Sequence, residues 1–411
     1  MNEEKKDAIA VLRIPAFRNF QLSRFLLTFA VQMAEMGLAW KIYQITNDKI
    51  ALGLIGLFEA VPFIATSLFS GHIADIYNRY RIARNSILGI FLCFVIITIL
   101  FFSNEKIGNT ALVNGIYLII GVSGIVRGFM APSFQSIFPQ IVPKNLYANG
   151  ATWASNTWQT AAVLGPAIGG VILGFSNIQV LLCCSLVFML IAYIIFLRVP
   201  IQPTPAKEKA ETLYESLTAG IRFVFTTKEM LGAISLDLFA VLFGGAVALL
   251  PVFAKDILHV GPEGLGMLRA APFFGSATMG LFLAFYSPTK NAGKNLLVAV
   301  ACFGFATLGF ALSTNFFLSL LMLFLTGAFD NVSVVIRQTI LQTFTPENMR
   351  GRVSAINQIF IASSNEIGAF ESGLAAKLMG TVPSVIFGGI MTLGVVSTIA
   401  IFNKKIANLK M

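Results

Sequence analysis

Ionisable side chains stand inside long apolar runs of this 411-residue sequence, and they are the residues best suited to chemistry. A charge at the centre of a membrane helix costs about 2.5–3.5 kcal/mol on insertion scales, so such residues face partners or water. A carboxyl group there can bind and release a proton, and a nearby arginine opposes protonation by its opposite charge. The charged positions inside apolar runs are Arg24, Glu35, Lys41, Glu59, Arg127, Asp237, Arg269, Asp330, Arg337, Glu366 and Glu371.

Two of these carboxylates are the first candidates for binding a proton. Arg24, Thr28, Gln32 and Glu35 recur at helical spacing, so they form one polar stripe on the first helix. Glu366 follows three polar residues about midway along another helix, where water could reach its side chain. We therefore predict that Glu35 and Glu366 line a central cavity and carry the proton.

Asp330 is the third candidate. It precedes Arg337 by seven residues, so both lie on one face of a helix. Arg127 and Asp330 fall at equivalent positions of an internal repeat, which predicts that opposite charges confront each other across a pseudo-twofold axis. We expect Arg127 and Arg337 to tune the pKa of the carboxylates. Arg269 and Glu371 lie nearer helix ends, from which their side chains can reach the membrane interface.

The elements that position these residues are long apolar helices. Hydrophobic residues make up 56% of the chain and charged residues only 12%, whereas a soluble domain carries roughly a quarter charged residues. A run of about 20 apolar residues matches the thickness of the bilayer. The sequence predicts an all-α membrane protein with twelve transmembrane helices. They lie near 20–45, 50–71, 82–103, 111–133, 148–174, 178–198, 230–251, 263–286, 295–313, 316–340, 353–376 and 383–402.

The formal net charge of +10 is unevenly distributed over the loops. Lys5, Lys6, Arg13 and Arg18 precede the first span, so we place the amino terminus inside. Most of the remaining lysines and arginines then fall in cytoplasmic segments, as the positive-inside rule requires. The charge therefore sets orientation and does not indicate a nucleic-acid partner. We predict a multi-pass protein of the bacterial inner membrane with both termini in the cytoplasm.

The longest polar interruption divides the helices six and six. It begins with three prolines and continues as an amphipathic stretch at helical spacing. We predict three units: an amino-terminal six-helix bundle at 1–198, a cytoplasmic linker with an amphipathic surface helix at 199–228, and a carboxy-terminal six-helix bundle at 229–411.

An internal repeat relates the two bundles. An offset of 203 positions pairs Gly165 with Gly368 and Gly170 with Gly373, together with residues of the preceding helix end and proline loop. Parallel repeats of six helices are a known transporter plan, with the substrate site between the halves near mid-membrane. We therefore expect two pseudo-symmetric bundles around a central site.

The loop after the second helix carries a glycine, then an aspartate four residues later, then basic residues: Gly71, Asp75, Arg79 and Arg81. It resembles the signature loop of the major facilitator superfamily, although an isoleucine replaces one basic residue of the usual pattern and an asparagine replaces a glycine. The resemblance implies a gating loop, in which the basic side chains bind the facing half in one conformation. An ordinary positively charged loop is the alternative.

The fifth helix contains Gly165, Pro166, Gly169 and Gly170. Proline inside a helix removes one backbone hydrogen bond, and glycines allow close helix packing. The block is similar to the motif associated with exporters of the same superfamily. A simple packing kink is the alternative.

Three further blocks extend the resemblance over essentially the whole chain, at 264–272, 346–354 and 362–368. They look like the drug and siderophore exporter branch, which includes enterobactin and macrolide efflux-type exporters. This resemblance implies proton-coupled export of drugs or siderophores.

The expected function is export of a small-molecule substrate by alternating access, with proton antiport, by a monomer embedded in the lipid bilayer. The proton gradient is the driving force, and no cofactor is expected. An importer or facilitator of the same fold and a non-transporting membrane sensor remain alternatives. We predict no enzyme and no metal site, because the sequence has no nucleotide loop, no Cys/His cluster and no nucleophile beside a base.

Overall fold

The computed structural model describes residues 9–200, 213–244, 246–286, 288–346, 349–402 and 409. Most of these residues are helical, and none of them forms a β-strand, which confirms the all-α prediction. The long helices of the first half are α1 (Pro15–Thr46), α2 (Lys49–Ile76), α3 (Arg79–Phe102), α4 (Asn109–Ile141), α5 (Tyr147–Phe175) and α6 (Ile178–Leu197). Those of the second half are α7 (Lys228–Phe243), α8 (Pro262–Phe285), α9 (Ala292–Leu312), α10 (Phe316–Phe344), α11 (Arg350–Met379) and α12 (Thr381–Phe402).

Within the described residues, ten helices are long and apolar enough to cross a bilayer. The other two long helices, α8 and α11, have 24 and 30 residues, which at about 1.5 Å per residue exceeds the roughly 30 Å of hydrocarbon. Their lower apolarity reflects internal charges: Arg269 in α8, and Glu366 and Glu371 in α11. The twelve-helix membrane fold is confirmed. Two of its helices, α8 and α11, have charged residues within their spans.

The seventh span is longer than the sequence predicted. After α7 the chain resumes helical turns at Ala246–Leu249 and Leu250–Val252 and ends in a π-helical turn at Phe253–Ile257. Its hydropathic segment extends over Glu229–Ile257, whereas apolar runs alone placed its end near residue 251. The difference arises because the last turn carries Lys255 and Asp256, which interrupt the apolar run.

Short polar side chains begin several helices. Asp48, Asn78, Asn177 and Asn315 each stand at an N-cap, where the side chain accepts a hydrogen bond from a backbone N–H of the first turn. The connection between α1 and α2 is only two residues long, and Asn47 adopts a φ of 46° there. Asparagine tolerates this left-handed conformation, so the chain reverses at once and the two helices run antiparallel.

Each predicted half packs mainly within itself. In the first half α1 contacts α5 and α6, α2 contacts α4, and α3 contacts α4 and α6. In the second half α10 contacts α8 and α9, and α12 contacts α7 and α9. Residues 201–212 of the predicted linker lie outside the described residues. Its second part forms the expected helix, Leu213–Thr226, which packs against α7 and α11.

The two halves meet through two helix pairs, α5 with α8 and α2 with α11. Both contacts depend on glycine. A Cβ on Gly170 of α5 would lie 2.6 Å from the Pro262 carbonyl oxygen and 3.0 Å from the Gly266 Cα of α8. A Cβ on Gly53 of α2 would lie 3.0 Å from the Phe370 Cα of α11. The backbones therefore touch, as small residues allow between membrane helices.

Polar bonds between the halves gather at one end of the bundle, which we call the closed end. Lys377 donates to Asp48 at 3.0 Å, Lys255 donates to Asn47 at 2.7 Å, and Tyr43 donates to Asp256. We call the opposite end, which carries the linker helix, the linker end.

Asp48 at the closed end remains ionised in this arrangement. Partial burial alone would raise the pKa of Asp48, but the hydrogen bonds from Lys377 and the Ile50 N–H, with the Lys377 charge, lower it. The contact with Lys377 is therefore insensitive to pH near neutrality, because a carboxyl group with a lowered pKa takes up a proton only in acid.

Polar side chains are exposed on the linker-end portions of the helices that join the halves. Asn156 and Thr160 are four residues apart on α5, and Ser354 and Gln358 are four residues apart on α11. Each pair lies on one helix face. Polar groups facing hydrocarbon are costly, so we infer that these faces line a water-filled cavity between the halves that opens toward the linker end.

The close contact of α5 with α8 can be tested by adding a side chain where the two backbones touch. Gly170→Leu should force the halves apart at the closed end, because even a Cβ there meets backbone atoms. Spin labels at Ser176 and Thr314, in a cysteine-free background, should report by pulsed EPR an interspin distance several ångströms longer than in the parent. Gly394→Leu is the matched control, since a Cβ at Gly394 meets no atom within 4 Å. An unchanged distance in Gly170→Leu would contradict the packing described.

Candidate functional site

Three helices of the first half bring opposite charges together. Glu35 comes from α1, Glu59 from α2 and Arg127 from α4. The Arg127 Nη1 atom lies 3.2 Å from the Glu35 Oε1 atom and also forms an ion pair with Glu59. Two carboxylates thus share one guanidinium, an arrangement that offsets part of the cost of burying all three charges.

The meeting of Glu59 and Arg127 depends on close approach of α2 and α4. A Cβ on Gly124 would lie 2.5 Å from the Glu59 carbonyl oxygen, so any larger residue would separate the helices. Gly128, one turn further along α4, is equally confined by Thr66. Glycine at these positions holds α4 close enough for Arg127 to reach across to α2.

The second half contributes Glu366 from α11. A Cβ on Gly56 of α2 would lie 3.1 Å from the Glu366 Oε2 atom and 3.0 Å from its carbonyl oxygen. Glu366 therefore stands at the interface between the halves, beside Gly56, which lies one turn before Glu59 on α2. The charges that act on Glu366 are those of Glu59, Arg127, Glu35 and Arg269.

Arg269 of α8 completes the group and interacts electrostatically with Glu35 and Glu366. We call these five residues the central cluster: Glu35, Glu59, Arg127, Arg269 and Glu366. Three carboxylates and two guanidiniums carry a net charge of −1 when all are ionised. One proton neutralises the cluster, so the group is equipped to bind a proton where the two halves meet.

The central cluster is accessible to water. The Arg127 side chain is 35% exposed and the Glu35 side chain 26%, although both lie midway along membrane helices. Exposure at that depth means that the cluster faces the cavity and not lipid. A proton can therefore reach it from the aqueous phase.

Nearly the whole chain resembles known membrane transporters. Residues 6–410 match the family described as "Transmembrane secretion effector", a major facilitator superfamily family. The chain belongs to this family. A staphyloferrin A transporter of Staphylococcus aureus is 22% identical over 395 residues, covering 94% of this chain and 96% of the relative. An enterobactin exporter, EntS, of Citrobacter koseri is 25% identical over 385 residues, covering 91% and 88%.

Solved structures share the fold. A D-xylose–proton symporter superposes with a TM-score of 0.75 at 11% identity, covering 96% of this chain and 99% of that one. A POT family transporter in complex with 5-aminolevulinic acid superposes with a TM-score of 0.76 at 12% identity, covering 95% and 96%. The protein is thus a multi-pass membrane transporter of the major facilitator superfamily, and its relatives are transporters and not enzymes.

The transporter brings together only some of the residues singled out from the sequence. Glu35, Glu366 and Arg127 lie in the central cluster. Arg127 forms its ion pairs with Glu35 and Glu59 of its own half, not with Asp330 as the repeat had suggested. The repeat relates positions along the chain, whereas pairing depends on how the helices are rotated.

Asp330 and Arg337 lie elsewhere in the transporter, within the second half. Arg337 forms an ion pair with Asp237 of α7, a residue that sequence reasoning gave no role. Asp330 lines a small cavity beside Asp237. Arg337 therefore has its partner on the neighbouring helix and not in Asp330 of its own helix.

Two residues of the central cluster escaped sequence reasoning. Glu59 was visible as a carboxylate inside an apolar run, but its helix offers no polar stripe to distinguish it. Arg269 was expected near the membrane interface, whereas its guanidinium is buried and interacts electrostatically with Glu35 and Glu366. The place of both residues in the cluster depends on helix rotation, which sequence spacing within one helix does not reveal.

The exporter-type motif of α5 faces two neighbours. A Cβ on Gly165 would lie 2.8 Å from the Phe29 carbonyl oxygen of α1, and one on Gly169 would lie 2.8 Å from the Met33 Cγ atom. Gly170 faces α8, and the Pro166 carbonyl oxygen meets Gly266 of the same helix. The motif therefore fits α5 between a helix of its own half and a helix of the other half.

The gating loop is described only in part. Helix α2 ends at Ile76 and Asn78 caps α3, while Arg79 is half-buried and Arg81 is exposed. The surroundings of Gly71 and the side chain of Asp75 lie outside the described residues, so their gating role stays a prediction.

The charge balance of the central cluster can be tested by removing its shared cation. Arg127→Met leaves two carboxylates near mid-membrane without their partner, and we expect a loss of about 1–3 kcal/mol in the free energy of unfolding. Adding Glu59→Gln should restore most of that loss, because one unpaired charge is then removed. Unfolding in increasing SDS, followed by circular dichroism, measures both effects. A double variant no more stable than Arg127→Met alone would contradict the shared pairing.

Proposed function

We propose that this transporter exports small molecules from the cytoplasm by alternating access in exchange for protons. The observation that carries the proposal is the central cluster. It joins carboxylates of both halves through two arginines, at the place where the halves must separate. A group that changes its charge there can couple proton binding to movement of the halves.

The charge of the cluster supplies the coupling. With Glu366 ionised, its carboxylate is attracted by Arg269 and Arg127 but repelled by Glu35 and Glu59. With Glu366 protonated, the attraction to the arginines of both halves weakens. Protonation therefore changes the free energy of the contact between α2 and α11. Because this contact differs between the two conformations of the transporter, protonation also changes their relative stability.

The cavity gives a route for export when it is combined with the orientation predicted from loop charges, although an importer passes through the same conformation. That orientation places the linker end in the cytoplasm, both termini inside, and the closed end on the outer face of a bacterial inner membrane. The conformation described then opens to the cytoplasm. A substrate enters from there and is released after the closed end opens.

The substrates we propose are siderophores or drug-like compounds. The supporting observation is that two relatives, named as a staphyloferrin A transporter and an enterobactin exporter, match over nearly the whole chain. The cavity also offers an aromatic contact between the halves, where the rings of Trp158 and Phe273 lie 5.6 Å apart. We propose a monomeric transporter that needs no cofactor beyond the proton gradient.

Glu366→Gln tests the coupling. An amide mimics the permanently protonated carboxyl group, so we expect loss of transport driven by a pH gradient, while exchange of substrate across the membrane persists. The measurement uses proteoliposomes of defined orientation and a panel of radiolabelled siderophores and cationic drugs. Glu35→Gln is the parallel variant in the first half.

Glu371→Gln is the matched control, because it makes the same change on the same helix outside the central cluster. If Glu366→Gln and Glu35→Gln, singly and together, still concentrate substrate in response to a pH gradient, coupling through these carboxylates is wrong. Accumulation only in the direction of proton flow would instead identify an importer that works by symport.

A further inference from the structure

Arg24 is a charged residue at membrane depth that does not belong to the central cluster. It stands on α1 about three helical turns before Glu35, so both side chains lie on one face of α1. On α4, Phe134 follows Arg127 by about two turns and shares its face in the same way. Arg24 contacts Phe134, while Glu35 pairs with Arg127. The two faces therefore meet along one seam between α1 and α4, with Arg24 nearer the linker end.

Arg24 has aromatic neighbours but no ion-pair partner among the described residues. Its guanidinium carbon lies 5.6 Å from the ring centroids of both Phe20 and Phe134, and no carboxylate of the described part of the chain acts on it. Aromatic rings attract a cation, but they offer no lone pair to its N–H groups. Because charges inside a membrane face partners or water, the half-buried Arg24 can receive a ligand from the aqueous cavity.

Gln21, about one turn before Arg24, is a second polar side chain with unused hydrogen-bonding groups. It is 4% exposed, and neither polar atom of its amide forms a hydrogen bond within the described residues. Leaving a buried polar group without a partner is costly. Side chains three residues apart on a helix are neighbours, so an anion bound by Arg24 would supply an acceptor for this amide.

An aromatic surface lies at the same depth. Trp158 precedes Gly165 on α5 by about two turns, so it shares the face that Gly165 turns toward Phe29 of α1. Because α1 and α5 both run from the linker end toward the closed end, Trp158 lies at about the level of Arg24. Trp158 is 44% exposed, and its ring packs edge-on against Phe273 of the second half. A cation and an apolar ring are therefore present at one depth.

The net negative charge of the central cluster does not prevent an anion from binding here. An anion paired with Arg24 lies within about 4 Å of that cation but about 16 Å along α1 from Glu35. The cluster therefore acts from beyond the Debye length of about 8 Å at physiological ionic strength, and its repulsion is largely screened. A cationic ligand would instead be repelled by Arg24 at contact distance. The charges of the seam favour an anion.

We propose that Arg24 binds the carboxylate group of a transported organic anion, whose apolar or aromatic part packs against Trp158 and Phe273. A carboxylate is planar and can accept two parallel hydrogen bonds from a guanidinium, which uses the donors that the rings leave without acceptors. The site rests on the proposed function only in that the bound molecule is the one transported. It requires neither proton coupling nor a particular direction of transport.

Equilibrium binding of 1-naphthoate to the purified full-length transporter tests the site without transport. The protein is held in nanodiscs of phosphatidylcholine, binding is measured by isothermal titration calorimetry, and empty nanodiscs give the background. The neutral 1-naphthamide and the cationic 1-naphthylmethylammonium have the same ring system and differ in charge. We expect saturable binding of one naphthoate per chain, at least about tenfold tighter than either of the other two compounds, because only naphthoate forms charge-assisted hydrogen bonds with Arg24.

Arg24→Gln should weaken naphthoate binding at least about tenfold and leave naphthamide binding unchanged, since it removes the charged partner alone. Arg24→Lys should retain part of the affinity, because the charge stays while the planar pair of donors is lost. Lys41→Gln is the matched control, because it removes a cation from the same helix beside Gln44, toward the closed end. It should bind naphthoate as the parent does. If Arg24→Gln does not fold, the comparison of Arg24→Lys with Lys41→Gln decides.

Three results would overturn the proposal. The first is naphthoate binding that does not saturate or is no tighter than naphthamide binding. The second is naphthoate affinity that is the same in both Arg24 variants as in the parent. The third is an anionic lipid that native mass spectrometry detects on the parent and not on Arg24→Gln, which would make a lipid headgroup the ligand.

The two proposals fail separately. Without naphthoate binding at Arg24, export of a cationic substrate in exchange for protons would still stand. If Glu366→Gln left transport driven by a pH gradient intact, naphthoate binding at Arg24 would still stand, because it is measured without a gradient.

Discussion

Burying charge in hydrocarbon is costly unless an opposite charge accompanies it, and Arg127 meets that condition for two carboxylates at once. Glu35 and Glu59 come from different helices, so their shared partner constrains α1, α2 and α4 together. The same guanidinium acts on Glu366 of the other half. The ion pairs of Arg127 therefore contribute both to the packing of the first half and to its contact with the second half.

Close backbone contact decides which of these charges can meet. Gly124 lets α4 approach α2, and Gly56 lets Glu366 stand against α2 from the other side. Gly170 and Gly266 give α5 and α8 the same freedom at the closed end. Helices in lipid gain little from burying apolar surface against each other, so small residues and polar bonds choose their neighbours. The glycines thus affect function by setting the distance between helices, since they have no reactive side chain.

The two polar centres differ in their exposure and hence in their chemistry. The central cluster is partly hydrated and lies between the halves, where protonation and movement can influence each other. The centre around Asp237 and Arg337 is buried within one half, with room for a single small particle. Asp330 there occupies the repeat position of Arg127, so the two halves place opposite charges at corresponding points. The pseudo-symmetry of the fold therefore does not extend to its electrostatics.

The sequence by itself determined the membrane fold, the two sets of six helices and the charges at membrane depth, because these follow from apolar runs along the chain. It also singled out Glu35, Arg127 and Glu366, which lie together in the central cluster. Only the tertiary structure decided the partners: Arg127 lies 92 positions from Glu35 and 68 from Glu59, and Arg337 belongs with Asp237. Spacing within one helix gives the face of a residue, but the direction of that face depends on how glycines and polar bonds pack one helix against another.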